Sequence, residues 1–287
     1  MDEIEKKLEY WDIRDALIVP IESHWQSTWE VDRKYVLKRY AQTDELARAL
    51  QFSQMLESCG IPVAVFVPAI DGKFSSADGH YALMKKLEGK HTDLYESPQL
   101  AAVMGRELAL LHLALAKIEA LSKYRDVDLL SDWTNRIKPG IESFVENTVI
   151  EDVNLRFRTL FPKQHRQLIH RDVHLGNVLF DGDRLSGWLD FDIVQRNLRI
   201  FDICYLLAGM LVGNIDNHVK IDSWRKTKSD LVLGYCEVNP LSSEELDALP
   251  VLMVVIEFLF VNYWNEHDNT QQRDLAAELA KWLYHTL

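Results

Sequence analysis

The sequence predicts an α+β fold, with a small antiparallel β-sheet and one helix near the start and mostly helices beyond. Three observations predict it. Residues 17–40 gather apolar and β-branched side chains into short runs bounded by turn signals, as strands do. From Phe201 onward apolar positions recur at helical spacing. A chain of 287 residues with 47% hydrophobic content buries a substantial core, in one large or two smaller domains.

Ala16 to Ile21 is an apolar run, Thr28 to Val31 is short and mixed, and Tyr35-Val36-Leu37-Lys38 follows a turn at Asp32-Arg33. Lys38 lies in the last of these strands, where a lysine by default faces solvent. Thr43 to Ser58 carries Leu46, Leu50, Met55 and Leu56 on one helical face, with Thr43 as the expected N-cap. Glu45 falls in its first turn, where the helix dipole favours an acid. Gly60-Ile61-Pro62-Val63 is a break, after which come Phe66 to Ile70, a loop at Asp71-Gly72-Lys73 and the run Tyr81 to Gly89.

Ser97-Pro98 opens a helix with proline at its first position, and Leu100, Val103, Met104, Leu108, Leu111 and Leu115 keep helical spacing through Lys117. His112 on this helix reads as a satisfied structural histidine. Later helices are expected at Trp224 to Tyr235, Ser243 to Ala248, Val251 to Trp264 and Thr270 to Tyr284, with Ser242-Ser243-Glu244-Glu245 as a capping box.

The chemistry concentrates between residues 168 and 192. Leu168-Ile169-His170-Arg171-Asp172-Val173-His174-Leu175-Gly176-Asn177 is followed by Leu189-Asp190-Phe191-Asp192. Moving a phosphoryl group requires positioning, charge neutralisation by Mg²⁺ and a carboxylate that takes the proton of the attacking hydroxyl. Asp172 is the candidate carboxylate. Asn177 and Asp190 offer hard oxygen ligands of the kind that suit Mg²⁺. Val178-Leu179-Phe180 and Leu185 to Leu189 flank the turn signal Asp181-Gly182-Asp183-Arg184, so a hairpin is expected to bring Asn177 and Asp190 back together. The competing reading is a set of ordinary loop residues, since short motifs also match by chance.

His-x-Asp-x-x-x-x-Asn followed by Asp-Phe-Asp after a hairpin resembles the aminoglycoside phosphotransferase and choline kinase-like family, relatives of the protein kinases. Asp172-Val173-His174-Leu175-Gly176-Asn177 is similar to that family's Asp-Leu-His-Pro-Gly-Asn loop, and Asp202 in Phe201-Asp202-Ile203-Cys204-Tyr205 resembles its structural aspartate. The resemblance implies a bilobal protein kinase-like fold, with residues 1–88 as a nucleotide-binding lobe and 89–287 as a catalytic and acceptor-binding lobe. It implies ATP and Mg²⁺ as cofactors and a small hydroxyl-bearing molecule as phosphate acceptor.

By the same resemblance Lys38 contacts the ATP phosphates, Glu45 is the best candidate for its partner, and Lys86, Leu87 and Glu88 lie beside the base. The chain departs from the pattern at Ser23-His24-Trp25-Gln26-Ser27-Thr28, where a phosphate-cradling loop would carry glycine and none is present. That departure keeps an alternative open, a catalytically degenerate kinase-fold protein that binds nucleotide or metabolite for regulation. A protein kinase is disfavoured, because no Ala-Pro-Glu segment follows Asp190-Phe191-Asp192.

Glu257, Tyr263, Trp264, Glu266 and Asp268 are the residues expected to meet a cationic or amino-bearing acceptor, against the equally open reading of core aromatics and solvated acids. The formal net charge is −12, which disfavours a nucleic-acid partner. Cys59, Cys204 and Cys236 are widely separated and indicate neither a disulfide framework nor a zinc site. The first ten residues lack the pattern of a secretory signal, and Leu249 to Trp264, with Pro250 and Glu257, is short for a membrane span. A cytoplasmic monomer or homodimer, with no membrane partner, is the expectation.

Overall fold

The computed structural model describes residues 2–21 and 27–286; Ser23, His24, Trp25 and Gln26 of the glycine-free segment lie outside them. In chain order the elements are α1 (Asp2–Leu8), β1 (Ile18–Pro20), β2 (Thr28–Val31), β3 (Tyr35–Arg39), α2 (Thr43–Ser58), β4 (Tyr81–Lys85), α3 (Ala101–Ile118), β5 (Arg125–Asp126) and α4 (Leu129–Asp132). Then follow a π-turn (Trp133–Ile137), α5 (Lys138–Ile141), α6 (Asn147–Leu160), β6 (Arg166–Ile169), β7 (Val178–Asp181) and β8 (Arg184–Trp188). The chain ends with β9 (Gln195–Leu198), α7 (Ile200–Leu211), α8 (His218–Val238), α9 (Ser243–Glu266) and α10 (Thr270–Thr286).

Two compact units result. One runs to His91 and takes in Lys117–Tyr124 and Gly176–Val194; the other holds Thr92–Ala116, Arg125–Leu175 and the chain from Gln195 onward. A cut at residue 88 assigns the β7–β8 hairpin to the second part of the chain, whereas it packs in the first unit. Hydrogen bonds explain the difference: Trp188 N–H donates to Pro62 O at 2.8 Å, and Lys90 and Phe180 exchange backbone bonds of 2.8 and 2.9 Å.

In the first unit, β1 to β4 form an antiparallel sheet in sequence order. The β2–β3 turn has both Asp32 and Arg33 at positive φ, as tight hairpins require. Along β3 the side chains alternate. Leu37 packs with Val31, Leu83 and Trp11 on one face, while Val36 and Tyr40 turn to the other face with Leu46 and Ala49 of α2. Lys38 is in step with Val36 and Tyr40, which puts it on the α2 side instead of in solvent.

Two expectations are corrected. The N-cap of α2 is Gln42, not Thr43: Gln42 is still extended, and its N–H donates to Glu45 Oε2 at 3.0 Å. The two helices expected between Ser243 and Trp264 are one, α9, which continues through Pro250. A proline forfeits one backbone bond, but α9 is the central helix of the second unit and buries residues on both sides of the proline, including Leu249, Leu252, Met253 and Phe258. By length and composition α9 is also apolar enough to cross a membrane; in this fold it is a core helix that buries Glu245, Glu257 and Asn262 as well.

The capping box of α9 forms as expected, with Glu245 N donating to Ser242 Oγ and Ser242 N to Glu245 Oε2. Glu245 is 2% exposed and receives both arms of Arg199, each at 2.6 Å. Arg199 also donates to Asn239 Oδ1 and Pro240 O, clamping the start of α7 to the α8–α9 connection. Removing one partner of such a buried pair strands the other charge. Arg199→Met should therefore lower unfolding free energy by about 3–5 kcal/mol, seen as an earlier midpoint in urea denaturation.

Candidate active site

The first unit contains a cavity of about 400 Å³ whose apolar wall includes Val36, Ala64, Met84 and Leu179 and whose polar end includes Lys38, Asn177 and Asp190. The sheet explains the lysine and the hairpin explains the other two. Leu189 N–H donates to Asn177 O at 2.9 Å, closing the strand ends on each other as the sequence predicted. Asp190 itself has φ 64°, a left-handed conformation that costs energy and clusters at functional sites.

Lys38 Nζ lies 2.6 Å from Asp190 Oδ1 and 3.3 Å from Asp192 Oδ2, over the ring of Tyr40 at 4.8 Å. Burial opposes its charge, but Asp190, Tyr40 and Asp192 together hold its pKa above the usual lysine value. Burial and the adjacent Asp190 push the Asp192 carboxyl up, against the pull of Lys38. Asn177 is buried, 8% exposed. An amide oxygen and crowded carboxylates form a donor set that fits a hard divalent cation such as Mg²⁺.

Glu45 is not brought to Lys38. Its carboxylate caps its own helix, and the lysine is held by residues 190 and 192. The side chain that α2 does send across is Arg48, whose Nε donates to Asp192 O at 2.7 Å. Sequence reasoning missed Arg48 and Asp192; the second carboxylate of Asp-Phe-Asp was the available signal.

The residues after β4 divide. Lys86 and Leu87 line the cavity. The Lys86 N–H is already given to Lys34 O and its ammonium pairs with Glu30 at 2.5 Å, whereas the Leu87 peptide groups make no hydrogen bond among the described residues. Glu88 does not line the cavity; its carbonyl accepts from Ser186 Oγ at 2.7 Å. Gly89 follows with φ 119°, and a Cβ there would meet Phe180 O at 2.8 Å, so the chain can turn here only with glycine.

Asp172 belongs to the second unit. Tyr205 Oη donates to its Oδ1 at 2.6 Å, and His174 Nε2 stands 3.6 Å from Oδ2. Burial alone would raise its pKa, yet His174 beside it and the hydrogen bond from Tyr205 hold the carboxyl well below the usual carboxylate range. The loop carrying it hangs on fully buried Asp202, whose Oδ2 accepts from His170 N at 2.8 Å and whose Oδ1 accepts from Arg171 N at 2.9 Å. His112 completes the set, with Nε2 3.1 Å from Asp202 and Nδ1 2.8 Å from Tyr235 Oη, the structural histidine expected from sequence.

Of the residues proposed to meet an acceptor, Glu257 is buried at 2% exposure, and burial pushes its carboxyl up to about 8. Glu266 is occupied by Arg136 and Asn262, Tyr263 and Trp264 pack on each other edge to face, and Asp268 is exposed.

A family model described as the phosphotransferase enzyme family matches residues 18–231. Among curated proteins the chain is similar to the homoserine kinase of Methylobacillus glycogenes, 30% identical over 258 residues that cover 86% of this chain and 76% of that protein. It is also similar to the homoserine kinase of Methylobacillus flagellatus, 28% identical over 254 residues with the same two coverages, 86% and 76%. Among solved structures, a microcompartment-associated aminopropanol kinase superposes with a TM-score of 0.75 at 17% identity, covering 99% of this chain and 95% of the other. The GDP complex of aminoglycoside 2'-phosphotransferase-IIIa gives 0.73 at 14%, covering 99% and 97%. The α+β, kinase-like fold expected from sequence is the fold found.

The Asp172 geometry has a pH consequence. A carboxyl whose folded pKa lies below the unfolded value of about 3.9 adds stability above that value and loses it as pH falls through the folded pKa. Tyr205→Phe deletes one of the interactions responsible, so the Asp172 carboxyl should titrate at higher pH in the variant than in the wild type, read by ¹³C NMR of labelled aspartate.

Proposed function

Because the chain belongs to the phosphotransferase enzyme family, we propose that this small-molecule kinase uses ATP and Mg²⁺ to phosphorylate the hydroxyl of a small amino-bearing acceptor of the homoserine kind. The observation that carries the reading is the cavity with Lys38 held between Asp190, Asp192 and Tyr40 at its polar end. The acceptor class follows the homoserine kinases to which the chain is similar over most of its length.

In this reading Lys38 holds the nucleotide phosphates, Asn177 and Asp190 hold Mg²⁺, and the unpartnered peptide groups of Leu87 meet the base. Mg²⁺, when bound, neutralises phosphate charge. Asp172 orients the acceptor hydroxyl and receives its proton. The acceptor oxygen bonds to the γ-phosphorus, the bond from that phosphorus to the β,γ-bridging oxygen breaks, and ADP leaves with the electron pair. Tyr205 and His174 keep Asp172 ionised and aimed. A cytoplasmic location and the two-lobe division of labour belong to the same proposal.

The test is Mg²⁺-dependent ADP release from ATP with homoserine, aminoglycosides, choline analogues and small sugars. Homoserine should stimulate release, and Asp172→Asn should lower kcat by roughly 10²- to 10⁴-fold while ATP binding persists. Comparable turnover in Asp172→Asn would remove the role given to that residue. No stimulation by any acceptor would favour the degenerate, nucleotide-binding alternative.

A further inference from the structure

The second unit contains a polar cavity of about 620 Å³, between the β5–β9 edge, α4 with its π-turn, and Leu259 of α9. Its charged groups are nearly all committed. Asp132 takes two arms of Arg136 at 2.8 and 2.9 Å. Asp126 takes Arg166 at 2.6 Å and Arg196 at 3.4 Å. Asp128 caps α4 through Leu130 N and Ser131 N.

Arg171 is the exception in the catalytic loop. Its backbone N–H is bound by Asp202, but its guanidinium makes no ion pair or hydrogen bond among the described residues. It lies on the Phe201 ring at 4.4 Å and near the Tyr205 ring at 5.9 Å, and it lines the cavity. The backbone at Arg171 has φ 80°, a conformation maintained against local preference. Burial works against its charge, while Tyr205, Asp202, Asp172 and Asp132 nearby favour it without bonding to the guanidinium. A guanidinium stacked on an aromatic face still presents its planar fork of N–H donors, which matches a carboxylate.

The geometry points to Arg171 as the residue that binds the carboxylate of the acceptor, a zwitterionic hydroxy-amino acid whose hydroxyl reaches Asp172. This rests on the kinase reading above and deepens it. Tyr205 joins the two ends: its ring lies beside the Arg171 guanidinium and its hydroxyl donates to Asp172. On this proposal a short aliphatic acceptor joins the carboxylate at Arg171, in the cavity, to the hydroxyl at Asp172, which stands outside the cavity lining. Arg171 is then a specificity residue, separating amino-acid alcohols from amino alcohols and aminoglycosides, which carry no carboxylate.

The experiment compares L-homoserine with 3-amino-1-propanol, the corresponding amino alcohol without the carboxylate, as acceptors for the wild type and for Arg171→Met. The wild type should prefer L-homoserine. In Arg171→Met the KM for L-homoserine should rise roughly 10- to 100-fold with a smaller change in kcat, and the preference should collapse. Equal proportional losses on the two acceptors would overturn the carboxylate role and leave the kinase reading standing. Turnover by the wild type of only carboxylate-free acceptors would overturn that role and the homoserine assignment together, again without touching kinase activity. Turnover of no acceptor would overturn all three. Should Arg171→Met fail to fold, calorimetric titration of the wild type decides: tighter binding of L-homoserine than of 3-amino-1-propanol supports the inference, and equal affinity overturns it.

Discussion

Asp202 is the constraint on which the catalytic loop depends. Its carboxylate is completely buried, and it is tolerable there because two backbone amides and a histidine point at it. The amides belong to His170 and Arg171, on either side of a peptide whose second residue sits at φ 80°. Such a conformation costs on the order of 1–3 kcal/mol, and charge-assisted bonds of this kind offset it. Tyr205 lies three residues after Asp202, on the same face of α7. One turn of helix thus holds the loop backbone with an acid and aims Asp172 with a phenol.

The first unit solves a different electrostatic problem. Two aspartates two residues apart face one ammonium, and the arrangement leaves Asp192 with a raised carboxyl even with Lys38 between them. A pair of acids short of positive charge attracts a cation, and the neighbouring Asn177 oxygen adds a neutral ligand without adding repulsion. Strand alternation supplies the lysine and the hairpin returns Asp190 beside Asn177, so the cavity's polar end follows from two local periodicities.

That locality decides what could be read in the sequence. The approach of Asn177 and Asp190 was legible because a Gly-containing turn between two apolar runs encodes a hairpin in adjacent residues. Lys38 needed the family resemblance, since a strand lysine has no local mark of burial. Glu45 was misleading because the acid that caps a helix and the acid that crosses to a strand look alike until the packing is known. Arg48 meeting the Asp192 carbonyl is a contact between residues 144 apart, with no periodic signal. Pro250 marked a break that packing overrides, and Arg171 passed as a spacer because its significance lies in the partner its side chain lacks.

Two carboxyls in the second unit carry opposite pH signatures, and this bears on how the protein discriminates charge. Asp172 is ionised in the fold and favours folding above its unfolded pKa. Glu257 has its pKa raised by burial to about 8. Between about 4.3, where the unfolded chain ionises, and about 8, its neutral form in the fold costs progressively more stability as pH rises. At neutral pH Glu257 is therefore largely protonated and offers little negative field to an approaching ammonium. The overall charge of −12 is spread mainly over solvated side chains, whose fields are screened beyond about 10 Å. Recognition of an acceptor carboxylate then falls to a cation that faces a cavity with no bonded anion, and in the second unit's polar cavity half-buried Arg171, whose guanidinium has no ion pair or hydrogen bond among the described residues, fits that description, so the acidic composition and an anion-recognising site coexist.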